Sequence, residues 1–153
     1  MSNYIEELAH TIKDHALKSI IVIILGSILI YVGVKLLDVH IELYRGIHLI
    51  DEKWITAIYL LPFVVGALIV MAFGPGGSWI CWIPPVIVEG WAYIDTAYIT
   101  GVPEDAQLIP LGYWVYYMVL MVGAAAIGGF SYQIFMNYRD YIKKRSRKPK
   151  PKI

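Results

Sequence analysis

Two acidic side chains stand out because they occur in an otherwise apolar and aromatic stretch of the sequence. Glu89 and Asp95 lie between positions 74 and 111, a segment without lysine or arginine. Carboxylates in such surroundings can relay protons, bind cations or contact a polar partner. Six residues on a helix place the two side chains about 120° apart, so they cannot share one proton as a catalytic pair does. We expect both to face water or the polar site of a partner.

The histidines are the next candidates, because imidazole is a common ligand of metals and haem. His40 and His48 follow the first hydrophobic segment and have carboxylates nearby in the sequence. They are weak candidates for a copper or zinc site at the membrane surface, since no known ligand spacing accompanies them. All four histidines fall outside the predicted membrane spans, and Cys81 is the only cysteine. We therefore expect no catalytic residue, no bound cofactor and no disulfide within the chain.

The hydrophobic residues that surround these groups form blocks of the length that a membrane span requires. Of 153 residues, 58% are hydrophobic and 16% are charged, which is more apolar than an ordinary soluble domain. The blocks predict an all-α integral membrane protein with a single membrane domain over residues 1–153. Its spans are predicted at about 19–37, 55–73 and 112–135. An amphipathic helix over residues 2–17 precedes the first span.

The segment between the second and third spans is the hardest to place. The pair Pro84 and Pro85 predicts a helix that begins near Pro85. If this helix crossed the membrane, it would carry Glu89 and Asp95 at depth, and each would cost about 2.5–3.5 kcal/mol on insertion scales. We therefore predict that the helix lies at the outer membrane surface or re-enters the membrane. A topology of four spans is the alternative.

The basic residues predict the orientation of the chain. Eight of the thirteen lysines and arginines lie from Arg139 onward. This bias predicts a basic cytoplasmic tail over residues 139–153, which attracts anionic lipid headgroups and does not bind nucleic acid. With three spans the N-terminus is outside, whereas with four spans it is inside, and the tail is cytoplasmic in both cases.

Small residues mark the faces on which helices can approach closely. They are Gly26 and Gly33 in the first span, and Gly123, Ala124, Ala125, Gly128 and Gly129 in the third. Such residues allow close contact between helix backbones. Packing of the first span against the third explains part of this pattern, and the remaining small faces predict contact with other integral membrane subunits.

These features predict a structural or accessory subunit of a larger membrane complex, without a catalytic role of its own. A respiratory, oxidase or membrane-bound monooxygenase complex is the expected class, so the chain could belong to an oxidoreductase. One alternative is a small homo-oligomeric channel or transporter that uses Glu89 or Asp95. Another is a membrane enzyme with a metal site near His40 and His48.

Overall fold

The computed structural model of the chain is mostly helical. It describes residues 2–39, 43–44, 51–74, 76–102, 107–108 and 110–146. The elements are, in order, α1 (Ser2–Leu37), β1 (Leu43–Tyr44), α2 (Glu52–Ile55), a π-helical turn (Thr56–Leu60), α3 (Leu61–Phe73), a 3-10 turn (Gly77–Trp79), α4 (Ile83–Ile94), a second π-helical turn (Asp95–Ile99), β2 (Gln107–Leu108) and α5 (Leu111–Ser146). The amphipathic N-terminal segment and the first predicted span form one continuous helix, α1.

Three helices in the described part of the chain are long and apolar enough to cross a membrane. They cover His15–Leu37, Glu52–Phe73 and Leu111–Arg145. Their outward faces carry large exposed apolar side chains, such as Ile24, Leu60 and Ile134. Helices of this kind satisfy their own backbone hydrogen bonds, which is a condition for a segment that spans lipid.

Proline shapes the beginning of two helical segments. The first π-helical turn ends directly before Leu61 and Pro62, where Leu61 N–H donates to the carbonyl of Thr56. Proline has no N–H and crowds the preceding turn, so a wider turn accommodates it. Pro84 and Pro85 lie in the first turn of α4. The predicted helix start near Pro85 is therefore confirmed.

Helices α3 and α5 form the closest contact in the bundle, and they run parallel to each other. At one end the rings of Trp54 and Tyr117 meet edge to face, with centroids 5.4 Å apart. Further along, a Cβ atom on Gly66 would lie 2.0 Å from the carbonyl oxygen of Ala125, so no side chain fits between the two backbones.

Helix α1 runs antiparallel to α3. Gly26 lies against Ile69, and Gly33 lies against Leu61. From the first contact to the second, the chain advances seven positions in α1 and goes back eight positions in α3. Near the beginning of this contact, Lys18 Nζ donates to the carbonyl oxygen of Phe73 at 3.2 Å. We call this end of the bundle, near Phe73, the tail end.

The short strands lie at the opposite end of the bundle. Strands β1 and β2 pair antiparallel, with Leu43 opposite Leu108 and Tyr44 opposite Gln107. This pairing joins the chain that follows α1 to the chain that precedes α5. We call this the strand end.

Helix α4 packs against both α1 and α5. It begins beside Gly26, whose Cβ position would lie 3.0 Å from Pro84 Cγ, and it runs toward the strand end. Its buried face consists of Pro84, Pro85, Val88 and Glu89. These contacts agree with a re-entrant helix or a fourth span, and the position of α4 relative to the membrane stays a prediction.

The direction of the four helical segments bears on the choice between the two predicted topologies, with three or four spans. Helices α1 and α4 run toward the strand end, while α3 and α5 run toward the tail end. The beginning of α1 and the end of α5 therefore lie at the same end of the bundle. Three spans would put them at opposite ends, whereas the four-span alternative requires this arrangement.

Candidate functional site

Glu89 is the largest buried polar side chain in the described part of the molecule. It lies one turn after Pro85 on the face of α4 that packs against α1 and α5, and its exposed fraction is 0%. We expected it to face water or the polar site of a partner, whereas the structure turns it into the bundle. Because a carboxyl group is costly to bury, its position inside an apolar bundle marks it as a candidate functional group.

Two aromatic residues cover the part of α4 that carries Glu89. Trp114, in the first turn of α5, donates its ring N–H to the backbone carbonyl of Glu89 at 3.4 Å. Tyr93, one turn after Glu89, lies against the Trp114 ring with centroids 5.1 Å apart. These contacts hold α4 to the beginning of α5 at the level of the buried carboxyl group.

Asp95 has different surroundings from Glu89. It begins the second π-helical turn and is half-buried, and its carboxylate accepts a hydrogen bond from the Thr100 hydroxyl at 3.0 Å. Thr96, the next residue, is buried. The two acids are therefore not equivalent: Glu89 lies inside the bundle, and Asp95 lies close to solvent near the strand end.

Most of the predicted small-residue interface is used within the chain itself. Gly128 lies against the backbone of Phe63, and Gly129 lies against Cys81 and Val70. Gly26 contacts both α3 and α4, and Gly33 contacts Leu61 of α3. Ala124 and Ala125 are buried as well. Gly123 is the exception, since a Cβ atom placed there would meet nothing within 4 Å. Among the small residues predicted to form an interface, only Gly123 leaves an open indentation on the outer surface of the bundle.

The weak metal candidates His40 and His48 lie outside the described residues. Within the described ranges, no group of three or more His, Cys, Asp or Glu side chains comes close enough to hold a metal ion. At the other end of the chain, Arg139 pairs with its neighbour Asp140 at 3.5 Å, and both side chains are exposed. The last seven residues of the basic tail also lie outside the described part.

Several residues that build this region were not predicted from the sequence. Gly66 and Cys81 form part of the contact between α3, α5 and the turn before α4. The Cys81 thiol is fully buried and donates to the carbonyl of Ser78 at 3.3 Å. The small size of Gly66 within the second predicted span was a sequence signal for a close helix contact. The role of Trp114 follows only from the packing of α4 beside α5, which the sequence does not show.

The chain matches no protein-family model, no curated protein and no solved structure.

Proposed function

We propose that this chain is a multi-pass integral membrane protein in which α4 enters the membrane with the three longer helices. The apolar outer faces of α1, α3 and α5 support this proposal, because they would be unfavourable in water. The position of α4 against α1 and α5 supports a fourth membrane segment. With its following π-helical turn α4 is about 25 Å long, somewhat shorter than a typical hydrocarbon core of about 30 Å.

In this arrangement we propose that the N-terminus and the basic tail are both cytoplasmic. The segments assigned to the cytoplasmic side then contain Lys13, Lys18 and the eight basic residues from Arg139 onward, while those assigned to the opposite side contain Lys35, Arg45 and Lys53. This distribution agrees with the excess of lysine and arginine in cytoplasmic segments.

Cysteine labelling tests the topology directly. In a Cys81→Ala background, Ser2→Cys and Ser146→Cys should react with a membrane-impermeant maleimide from the same side, and Gln107→Cys from the other. Reaction of Ser2→Cys from the side opposite to Ser146→Cys would restore the three-span topology.

We propose that the chain serves as a non-catalytic accessory or structural subunit of a multi-subunit membrane complex. The observation that carries this proposal is the open position at Gly123. It lies on the outward face of α5, with Val119 and Ile127 exposed one turn before and after it. A glycine between larger apolar side chains forms an indentation that a helix of another subunit can fill.

The expected class of complex is a respiratory, oxidase or membrane-bound monooxygenase assembly, in which the chain supports an oxidoreductase. The channel alternative is less well supported. An acidic ring in a homo-oligomeric pore requires a carboxylate that faces the shared lumen, whereas Glu89 faces the interior of its own bundle.

A pair of glycine substitutions tests the accessory role. Purified from its native membrane in mild detergent, the wild-type chain should carry other subunits in fixed stoichiometry. Gly123→Leu should lose them without loss of the folded chain, because the side chain fills the indentation. Gly90→Leu on α4 is the matched control, since Gly90 also has open space around its Cβ position. If Gly123→Leu retains its partners, or if the wild type purifies alone, the proposal is wrong.

We also infer that the basic tail holds anionic lipid headgroups. The end of α5 combines exposed Tyr138 and Tyr141 with the basic residues Lys143, Lys144 and Arg145. Aromatic rings favour the membrane interface, and nearby basic side chains attract anionic lipid. Replacing the three basic residues with glutamine should reduce the anionic lipid that remains bound in native mass spectrometry. An unchanged amount of bound lipid would contradict this inference.

A further inference from the structure

We propose that the apolar surface of the bundle fits a membrane with a thin hydrocarbon core of about 25 Å, whereas a typical core is about 30 Å thick. Its lipid partner is a phospholipid with short acyl chains. This inference rests on the proposed function, because it requires all four helical segments to lie in the membrane. It adds the class of lipid that covers their outer faces.

The first step of the argument is the distance between the two lysines that enclose the apolar part of α1. Residues 19–34 carry no charge, and Lys18 and Lys35 lie on either side of them. The Cα atoms of the two lysines are about 25 Å apart along the helix. Ile24 and Leu25 are among the exposed apolar side chains between them. The outer face of α1 therefore offers about 25 Å of apolar surface to lipid.

The second step is the position of the two ammonium groups. Lysine side chains at the ends of a span commonly extend outward, which lengthens the part of the helix that lipid can cover. Lys35 Nζ instead lies over the ring of Tyr31, one turn nearer the middle of α1, at 5.7 Å from the ring centroid. Lys18 Nζ bonds to the carbonyl oxygen of Phe73 at 3.2 Å. Both charges therefore stay near the ends of the apolar surface.

Helix α4 has a similar apolar length. Trp82 donates its ring N–H to the carbonyl of Trp79 at 2.8 Å, and both indoles are exposed near the tail end. Tyr98 is exposed near the strand end. From Trp82 to Tyr98 the helix rises by about 24 Å. Because tryptophan and tyrosine prefer the interface between lipid and water, these residues indicate nearly the same thickness as the lysines of α1.

Helix α3 is continuous with α2 and is longer than this, but the extra length lies beyond the end of α1. Leu61 of α3 lies beside Gly33 of α1. Counted from this contact, Lys53 is about 9 Å further toward the strand end than Lys35. The first turns of the second span therefore extend past the lipid boundary that Lys35 indicates.

Helix α5 extends past the boundary at the tail end. Gly129 lies beside Val70. About one turn further along the two parallel helices are Gln133 of α5 and Phe73, the last residue of α3. The Gln133 side chain donates to Asn137 at 3.4 Å. The polar part of α5 therefore begins close to the level of Phe73.

Competition between lipids in vesicles tests the proposal. The full-length protein is reconstituted into brominated dioleoyl phosphatidylcholine, which quenches tryptophan, and phosphatidylcholines of other chain lengths are added. Recovery of fluorescence reports how strongly each lipid binds, and exposed Trp91 of α4 lies where lipid can reach it. Dimyristoleoyl or dipalmitoleoyl phosphatidylcholine should bind most strongly, and the long dierucoyl lipid should bind about twofold more weakly. Equal binding of all lipids, or strongest binding of the dioleoyl or dierucoyl lipid, would overturn the inference.

A lysine substitution tests the boundary at the strand end. In Lys35→Leu the next charge after α1 is Asp38, so the apolar surface lengthens by about 4–5 Å and the preferred lipid should have longer chains. Lys53→Leu is the matched control, because it removes the same charge at the same end but beyond the boundary. An unchanged preference in Lys35→Leu, or an equal shift in Lys53→Leu, would refute the boundary at Lys35.

Extraction with alkaline carbonate separates this inference from the proposed function. Release of the wild-type chain from vesicles of every lipid would refute the membrane placement, and the thickness with it. A chain that resists extraction but does not prefer the short lipids would refute the thickness alone.

Discussion

Replacing Gly128 with alanine should open the contact between α3 and α5. An ideal Cβ atom at Gly128 would lie 2.0 Å from the carbonyl oxygen of Phe63, whereas ordinary contact begins near 3.4 Å. The difference of 1.4 Å cannot be removed by a side-chain rotation, because the opposing atom belongs to the backbone. The two helices must therefore separate, and all their neighbouring contacts lose dispersion energy.

Gly123→Ala is the matched control, five residues earlier on the same helix. Both substitutions gain the higher helix propensity of alanine, about 1 kcal/mol, and this gain cancels in the comparison. Overpacking of a close contact costs about 1–3 kcal/mol, and no such cost arises at Gly123, where the Cβ position is open. We expect Gly128→Ala to have a free energy of unfolding about 1–3 kcal/mol lower than Gly123→Ala.

Unfolding in mixed micelles with increasing sodium dodecyl sulfate measures this difference. Tryptophan fluorescence follows the whole bundle, and alkylation of Cys81 follows the turn between α3 and α4. Coincident transitions by the two probes would justify a two-state free energy. If both glycine variants unfold at the same detergent fraction, the close approach of α5 to Phe63 is not present in the protein.

Two further predictions concern the turns. Asp51 caps α2, because its carboxylate accepts a hydrogen bond from Trp54 N–H at 2.8 Å. Asp51→Ala should therefore lower the free energy of unfolding by about 1 kcal/mol, and Asp51→Asn should lower it much less. Equal losses in the two variants would exclude the cap. Burial raises the pKa of the Cys81 thiol, which holds it in the unreactive protonated form. Its alkylation should be slow at neutral pH and faster as the pH rises, while fast alkylation of the folded chain at neutral pH would contradict its burial.

The placement of α4 illustrates what insertion cost alone leaves out. The scales assign a penalty to Glu89 as if its helix stood by itself in lipid. In the folded chain α1 and α5 cover that face of α4, and Glu89 has no exposed surface. The cost of the carboxyl group therefore depends on neighbours that are distant in the sequence.

The small residues show the same limit in a different way. Their spacing predicted close helix contacts, but a glycine has no side chain that would reveal which helix approaches it. Gly128 and Gly123 look alike in the sequence, yet one contacts the Phe63 backbone and the other is open. Only the packing of α3 onto α5 distinguishes an internal contact from an available surface.

The sequence by itself determined the helical segments of this protein and several of their ends. Long apolar blocks must form helices in lipid, because a helix satisfies the hydrogen bonds of its own backbone. Pro84 and Pro85 favour the first turn of a helix. Both effects are local. The tertiary structure alone decided the direction of each helix in the bundle, the burial of Glu89 and its contact with Trp114. These features arise from packing between residues far apart in the chain, which local hydrophobicity and helix propensity do not encode.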